Sequence, residues 1–224
     1  MTNNKRFGVA IHVFGNLACF TRPEMKVERV SYDVITPSAA RGIVEAIYWK
    51  PEIRWIIDRL HVLKPIRFSS MRRNEVGGKI SARTAETAMR AGHGNIGLYV
   101  EDERQQRAAL LLRDVAYVIE AHFEIIAGEV NEGKHLDQFN RRARDGQCYT
   151  RPYLGCRELA ADFELVEHSA ALPPVDASLK GTRDLGWMLH DIDFKNGRQP
   201  HFFHAVMKDG VIDVPPFDSP EIRR

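Results

Sequence analysis

The chain has 224 residues, 44% apolar and 28% charged, with a formal net charge of +2, a composition that places it among ordinary globular proteins and excludes a disordered or fibrous chain. The first apolar stretch, Phe7 to Phe14, is too short and interrupted for a secretory signal, and no run approaches the roughly 20 apolar residues of a membrane span. A cytoplasmic protein with no membrane partner is expected.

Alternation in Phe7 to Phe14 predicts a first strand, ended by Gly15-Asn16. Thr36 as N-cap, Pro37 at the first helical position and Pro51 just beyond bound a helix running to Trp49, with Tyr48 late in it. Ile53 to Phe68 is β-rich, Lys64-Pro65 marking a break or an edge position. From Ser69 to about Arg107 the chain is basic and contains glycine; a segment this long is expected to be functional or to carry its own hairpin. Leu110 to Ile126 reads as a long strand whose first half could also be helical. Asn131 caps a second helix through about Asp145, stopped at Gly146, and Tyr153 to Val166 supplies another strand.

The order strand, helix, strand, strand, helix, strand is the ferredoxin-like βαββαβ arrangement that RNA-recognition modules often use, so the expected class is α+β. After Pro173-Pro174, candidate strands at Leu185 to Asp193, His201 to Lys208 and Val211 to Val214 predict a small C-terminal antiparallel sheet, with Asp209-Gly210 as a hairpin turn. The expected domains are therefore 1–165, with a basic insertion near 69–107, and 166–224.

Charge is unevenly placed. Lys64, Arg67, Arg72, Arg73, Lys79, Arg83 and Arg90 are opposed over their span only by Glu75 and Glu86. A second cluster, Arg141, Arg142, Arg144, Arg151 and Arg157, interleaves with Tyr149 and Tyr153, the cation-and-aromatic mixture that single-stranded nucleic acid asks of its binder. For either cluster a solvated charged face is the plainer alternative.

No phosphate-binding G-x-x-x-x-G-K-[ST] loop occurs. Asp191, Asp193, His201 and His204 lie close together, but on a strand His201 and His204 face opposite sides and would not converge on one ion. The three cysteines, Cys19, Cys148 and Cys156, form an odd set without C-x-x-C spacing, which suggests reduced, partly buried thiols rather than a disulfide framework or zinc site. No metal or cofactor is expected.

Lys134-His135 is the better candidate for chemistry. The pair follows Asn131-Glu-Gly133 at a helix start, where free N–H groups attract phosphate and glycine permits close approach. A neutral imidazole can accept a proton and an ammonium can neutralise a phosphorane, which are parts of metal-free RNA cleavage. Surface decoration is the plainer reading of that pair, and a core-boundary phenol is the plainer reading of Tyr48.

Longer strings carry a resemblance. Gly15-Asn16 through Phe20-Thr-Arg-Pro-Glu24, Lys26-Val-Glu-Arg-Val-Ser-Tyr32, Thr36-Pro37 and Glu45-Ala-Ile-Tyr-Trp-Lys-Pro51 resemble the CRISPR-associated Cas-five family of type I-C (Dvulg) systems. So do Pro65-Ile-Arg-Phe68, Met71-Arg-Arg-Asn-Glu-Val76, Arg104-Gln-Gln-Arg107, Leu111-Leu-Arg-Asp-Val-Ala-Tyr117, Asn131-Glu-Gly-Lys-His135, Arg141-Arg142, Gly146-Gln147, Pro152-Tyr-Leu-Gly-Cys-Arg-Glu158 and His204-Ala-Val-Met207.

The resemblance implies an endoribonuclease that cuts precursor CRISPR RNA at the 3′ base of the repeat hairpin without metal, leaves a 2′,3′-cyclic phosphate and stays on the 5′ handle. Its partners would be the repeat RNA, the mature guide, and the backbone and large subunits of the type I-C surveillance complex. The catalytic residues it implies are Tyr48, Lys134 and His135. RNA contacts are expected from Arg22, Lys26, Arg67, Arg72, Arg73, Lys79, Arg141, Arg142, Arg144 and Arg157. Its alternative is a non-catalytic subunit that only grips the handle, and a DNA-binding or DNA-trimming activity is a third reading.

Overall fold

A 22-residue strand, β5 (Arg104–Ile125), organises the sheet. The computed structural model describes residues 8–25, 27–128, 131–167, 172–194 and 197–224. β5 pairs antiparallel with β1 (Gly8–Ala18) on one side and with β3 (Ile53–Val62) on the other. Its first half also carries β4 (Phe68–Val76) and the two-residue β2 (Arg29–Val30). β6 (Asp162–Leu165) closes the far edge of β1.

The order of strands is β6-β1-β5-β3-β9-β8-β7, so the C-terminal strands extend the same sheet. β7 (Thr182–Asp193), β8 (Gln199–Lys208) and β9 (Val211–Asp213) form an antiparallel run, and β9 joins it to β3. The Asp209-Gly210 turn between β8 and β9 has positive φ at both residues, 50° and 81°, as a tight two-residue hairpin requires.

Among the described residues three α-helices complete this mixed α+β structure: α1 (Pro37–Ile47), α2 (Ala82–Ala91) and α3 (Glu132–Arg144). α1 packs on β3 and β7, α3 on β1 and β6, and the two helices touch each other. Each buries one stripe at helical spacing, Ala40, Ile43, Val44 and Ile47 from α1 and His135, Phe139 and Ala143 from α3. The apolar members of these stripes form one continuous core with Val9, Ile11 and Val13 of β1. Among the described residues no helix is long and apolar enough to cross a membrane.

Several local expectations meet a different outcome. Gly15-Asn16 does not end the first strand; β1 continues to Ala18 because Gly15 serves close approach, a Cβ there falling 2.6 Å from Leu154 Cδ1. α1 stops at Ile47, leaving Tyr48 extended at φ −149° and ψ 116°. The basic segment after Ser69 continues as β4 and then forms α2, whose signals were Ser81, accepting from the Thr84 N–H, and Gly92 in the left-handed conformation. The whole of Leu110 to Ile125 is strand, with no helical half; Asp114 at φ 52° bends it without ending it.

Tyr153 to Val166 is strand only over β6. Its first part is a tight loop in which Leu154 N–H donates to Leu159 O and Leu159 N–H to Cys156 O. Gly155 makes that loop possible: its φ is +86°, and a Cβ there would lie 2.1 Å from Cys19 O. Gly155→Ala is therefore expected to destabilise the fold by about 2–4 kcal/mol, read from the shift of the urea unfolding midpoint. Unfolding within a few tenths of a kcal/mol of the parent would mean that the loop does not hold this geometry.

Candidate active site

Tyr48 sits where α1 ends. Its N–H donates to Val44 O at 3.0 Å, which closes the helix, and its carbonyl accepts from Trp55 Nε1 at 2.8 Å. Trp55 packs against Phe123 and Phe139, with ring centroids 5.3 and 4.9 Å away, so β3, β5 and α3 all bear on the helix end. Arg142 of α3 donates to Ile47 O at 3.0 Å and stands 5.4 Å over the Tyr48 ring, binding one of the carbonyls a helix end leaves open.

The Tyr48 hydroxyl lies 2.9 Å from His135 Nδ1. This is a buried hydrogen bond between residues 87 apart in the chain, with Tyr48 1% and His135 8% exposed. Two tautomers fit: the phenol donates to Nδ1, or Nδ1–H donates to the phenol oxygen. In both, Nδ1 is occupied by the phenol. Burial raises the Tyr48 pKa above that of a free phenol; Arg142 offsets part of this and Glu52 adds to it, so the hydroxyl keeps its proton at neutral pH. His135 also meets Phe123 edge to face at 5.9 Å, which with the Tyr48 bond fixes its ring.

Lys134 is exposed, one residue before His135 in the first turn of α3. Its backbone N–H donates to Asn131 Oδ1 at 3.1 Å, the N-cap bond that starts the helix. The structure thus brings Tyr48 and His135 into contact, while Lys134 precedes His135 in the chain and is exposed.

The arginines and lysines proposed for RNA divide by environment. Arg67, Arg72, Lys79 and Arg157 are exposed, Lys79 beyond the end of β4. Arg141 is exposed and donates to Gln147 Oε1, whereas Arg142 belongs to the surroundings of Tyr48. Arg22 instead bonds Asp33 at 3.1 Å and covers the Tyr32 ring, Arg73 bonds Glu158 at 2.6 Å, and Arg144 bonds Glu167 at 2.8 Å. Lys26 lies outside the described residues. Sequence reading missed Trp55 and the structural part played by Arg142; the bulk of a tryptophan two residues into a strand was the available signal for the first.

His201 and His204 separate as strand alternation requires. His201 is buried against Phe217 and stands opposite Asp191, while His204 is exposed 3.2 Å from Asp184.

The family model described as CRISPR-associated protein (Cas_Cas5) matches residues 8–215. The chain belongs to this family. It is 57% identical over 221 residues to the CRISPR pre-crRNA endoribonuclease Cas5d of Mannheimia succiniciproducens, covering 96% of this chain and 98% of that protein. To the protein of the same name from Thermus thermophilus it is 39% identical over 234 residues, covering 96% and 94%.

Two solved structures share the fold. A crystal structure of a CRISPR-associated protein superposes with a TM-score of 0.70 at 24% identity, over 97% of this chain and 96% of the other. A functionally uncharacterized protein from Streptococcus mutans gives 0.66 at 22% identity, over 97% of each chain.

Tyr48→Phe deletes one partner of a buried hydrogen bond and leaves His135 Nδ1 without its phenol. It should cost about 1–3 kcal/mol of stability, measured by denaturant unfolding, with far-UV circular dichroism unchanged. A variant as stable as the parent would show that the contact contributes nothing to joining α1 and α3.

Proposed function

We propose that the chain is a metal-independent endoribonuclease that cuts CRISPR repeat precursor RNA at the 3′ base of the repeat hairpin, releasing guide RNAs. The ribose 2′-hydroxyl beside the scissile bond attacks the phosphorus, the 5′-oxygen leaves, and a 2′,3′-cyclic phosphate remains. The protein then stays on the 5′ handle within the type I-C surveillance complex, beside its backbone and large subunits. The observation that carries this reading is the Tyr48–His135 hydrogen bond, in a chain whose curated relatives bear this activity in their names.

In the proposed reaction Tyr48 and His135 carry the proton transfers and Lys134 stabilises the charge that develops on phosphate. Because the phenol is buried and neutral, it works through Nδ1, and the imidazole edge bearing Nε2 meets the RNA. Lys134 stands at the helix N-terminus, where unpaired N–H groups add to its attraction for an anion.

Arg67, Arg72, Lys79 and Arg157 are the proposed phosphate contacts, with Arg141 and Arg142 flanking the reacting nucleotide. Arg22, Arg73 and Arg144 would join them by exchanging carboxylate partners for phosphate, and Lys26 is proposed from the family resemblance. A duplex stem offers side chains mainly shape and backbone, so specificity is expected from the stem end and its flanking single strand.

Residues 1–165 are proposed as a ferredoxin-like domain with a basic insertion near 69–107, and 166–224 as a small antiparallel β domain. The order β6-β1-β5-β3, antiparallel throughout, supports the first, and the β7-β8-β9 run supports the second. The proposed compartment is the cytoplasm, where the transcript is made.

Burial of the Tyr48 hydroxyl favours a second reading, a non-catalytic subunit that only holds the 5′ handle. Purified protein incubated in EDTA with its cognate repeat RNA separates the two: cleavage is expected, and tight binding without cleavage would establish the second reading. His135→Ala should lose about 10²- to 10⁴-fold in single-turnover rate with RNA affinity little changed. A single 2′-deoxy nucleotide at the cut site should abolish cleavage; persistent cutting would reveal attack by water, as in a metal nuclease, instead of by the ribose.

A further inference from the structure

A second cluster of reactive groups lies away from Tyr48, where the loop after Pro152 meets the end of β1. Cys19 N–H donates to Leu154 O at 2.9 Å, and Gly155 lies directly against the Cys19 carbonyl. Cys156 Sγ is thereby 3.6 Å from Cys19 O, although the residues are 137 apart in the chain. Cys19 Sγ stands 3.6 Å from Thr21 Oγ1, and Arg29 Nη1 stands 3.6 Å from Cys156 Sγ.

The pair is asymmetric. Cys19 is buried among Ala109 and Leu111, while Cys156 is half-buried at the rim of the same apolar patch. The neighbouring Cys19 thiol and the Arg29 charge bring the Cys156 thiol down to about 6, against the opposing effects of burial and Glu158. The neighbouring Cys156 thiol and burial push the Cys19 thiol well up. The Arg29 guanidinium 3.6 Å from Cys156 Sγ favours its thiolate, which is the reactive form.

We propose that Cys156 is a thiol-modification site for small-molecule disulfides, with Cys19 as its resolving partner, so that the product is an intramolecular Cys19–Cys156 bond. Cys156 thiolate attacks one sulfur of a dialkyl disulfide, forming a mixed disulfide and releasing one thiolate. That thiolate takes the Cys19 proton; Cys19 then attacks the Cys156 sulfur and expels the second thiolate, which is protonated by solvent. The two cysteines, one entering as thiol and one as thiolate, give up two electrons, and the disulfide accepts them to become two thiols. The bond removes a negative charge beside Arg29 and fastens the Tyr153–Ala160 loop to β1. Arg29 and Arg73 both bond Glu158 of that loop, at 2.8 and 2.6 Å, so the modification acts next to a proposed RNA contact.

Full-length protein treated with glutathione disulfide near neutral pH, then mapped by mass spectrometry without reduction, tests this directly. The expected product joins the Cys19 and Cys156 peptides, lighter than their sum by two hydrogens. Cys19→Ser should stop at glutathione on Cys156. Glutathione persisting on Cys156 of the parent, or no modification there, overturns the proposal. Native alkylation by iodoacetamide gives a reading independent of any variant: Cys156 should react about tenfold faster than the half-buried Cys148. Arg29→Gln should slow it. Equal rates at Cys148 and Cys156 in the parent also overturn the proposal.

Discussion

Three separate parts of the chain converge on Tyr48. Its N–H closes α1, its carbonyl holds Trp55 of β3, its ring lies under Arg142, and its hydroxyl meets His135 at the start of α3. A tyrosine that had continued the helix could not make this set, because its carbonyl would be aligned with the helix axis and its ring carried round to another face. Extended backbone at Tyr48 is thus the constraint on which the candidate site rests. The aromatic packing of Trp55, Phe123 and Phe139 beneath it keeps α3 in register with α1.

Burial gives this arrangement its chemical character. A phenol exposed to water is free to turn, whereas one enclosed with a single partner fixes which imidazole nitrogen is occupied. The same burial disfavours phenolate, so the hydroxyl keeps a proton to give or share. Lys134, one residue before His135 in the first turn of α3, is exposed.

Arginine serves two purposes in the molecule, and composition does not distinguish them. Arg22, Arg73 and Arg144 are tied to carboxylates and Arg142 to a helix carbonyl, where each guanidinium organises a loop or a helix end. Arg67, Arg72, Arg157 and Lys79 are exposed. The Arg29–Glu158–Arg73 chain also links the base of the β4–β5 ladder to the loop that carries Cys156, so one carboxylate holds together a proposed RNA surface and a reactive thiol. These exposed ion pairs position side chains more than they stabilise the fold.

By itself the sequence determined the features whose causes lie within a few residues. Thr36 and Pro37 start α1, Asn131 starts α3 and Gly146 follows its end, and Asp209-Gly210 makes its turn, because capping and turn geometry are satisfied by neighbours in the chain. Tyr48, Lys134 and His135 could be singled out as residue types, and the family likeness named them together. Only tertiary structure decided that Tyr48 leaves the helix to meet His135, that Gly15 serves close packing instead of a turn, and that Cys19 and Cys156 touch. Each of those depends on atoms supplied from distant chain segments, and sheet registry, core packing and burial of polar groups are settled only when those segments meet.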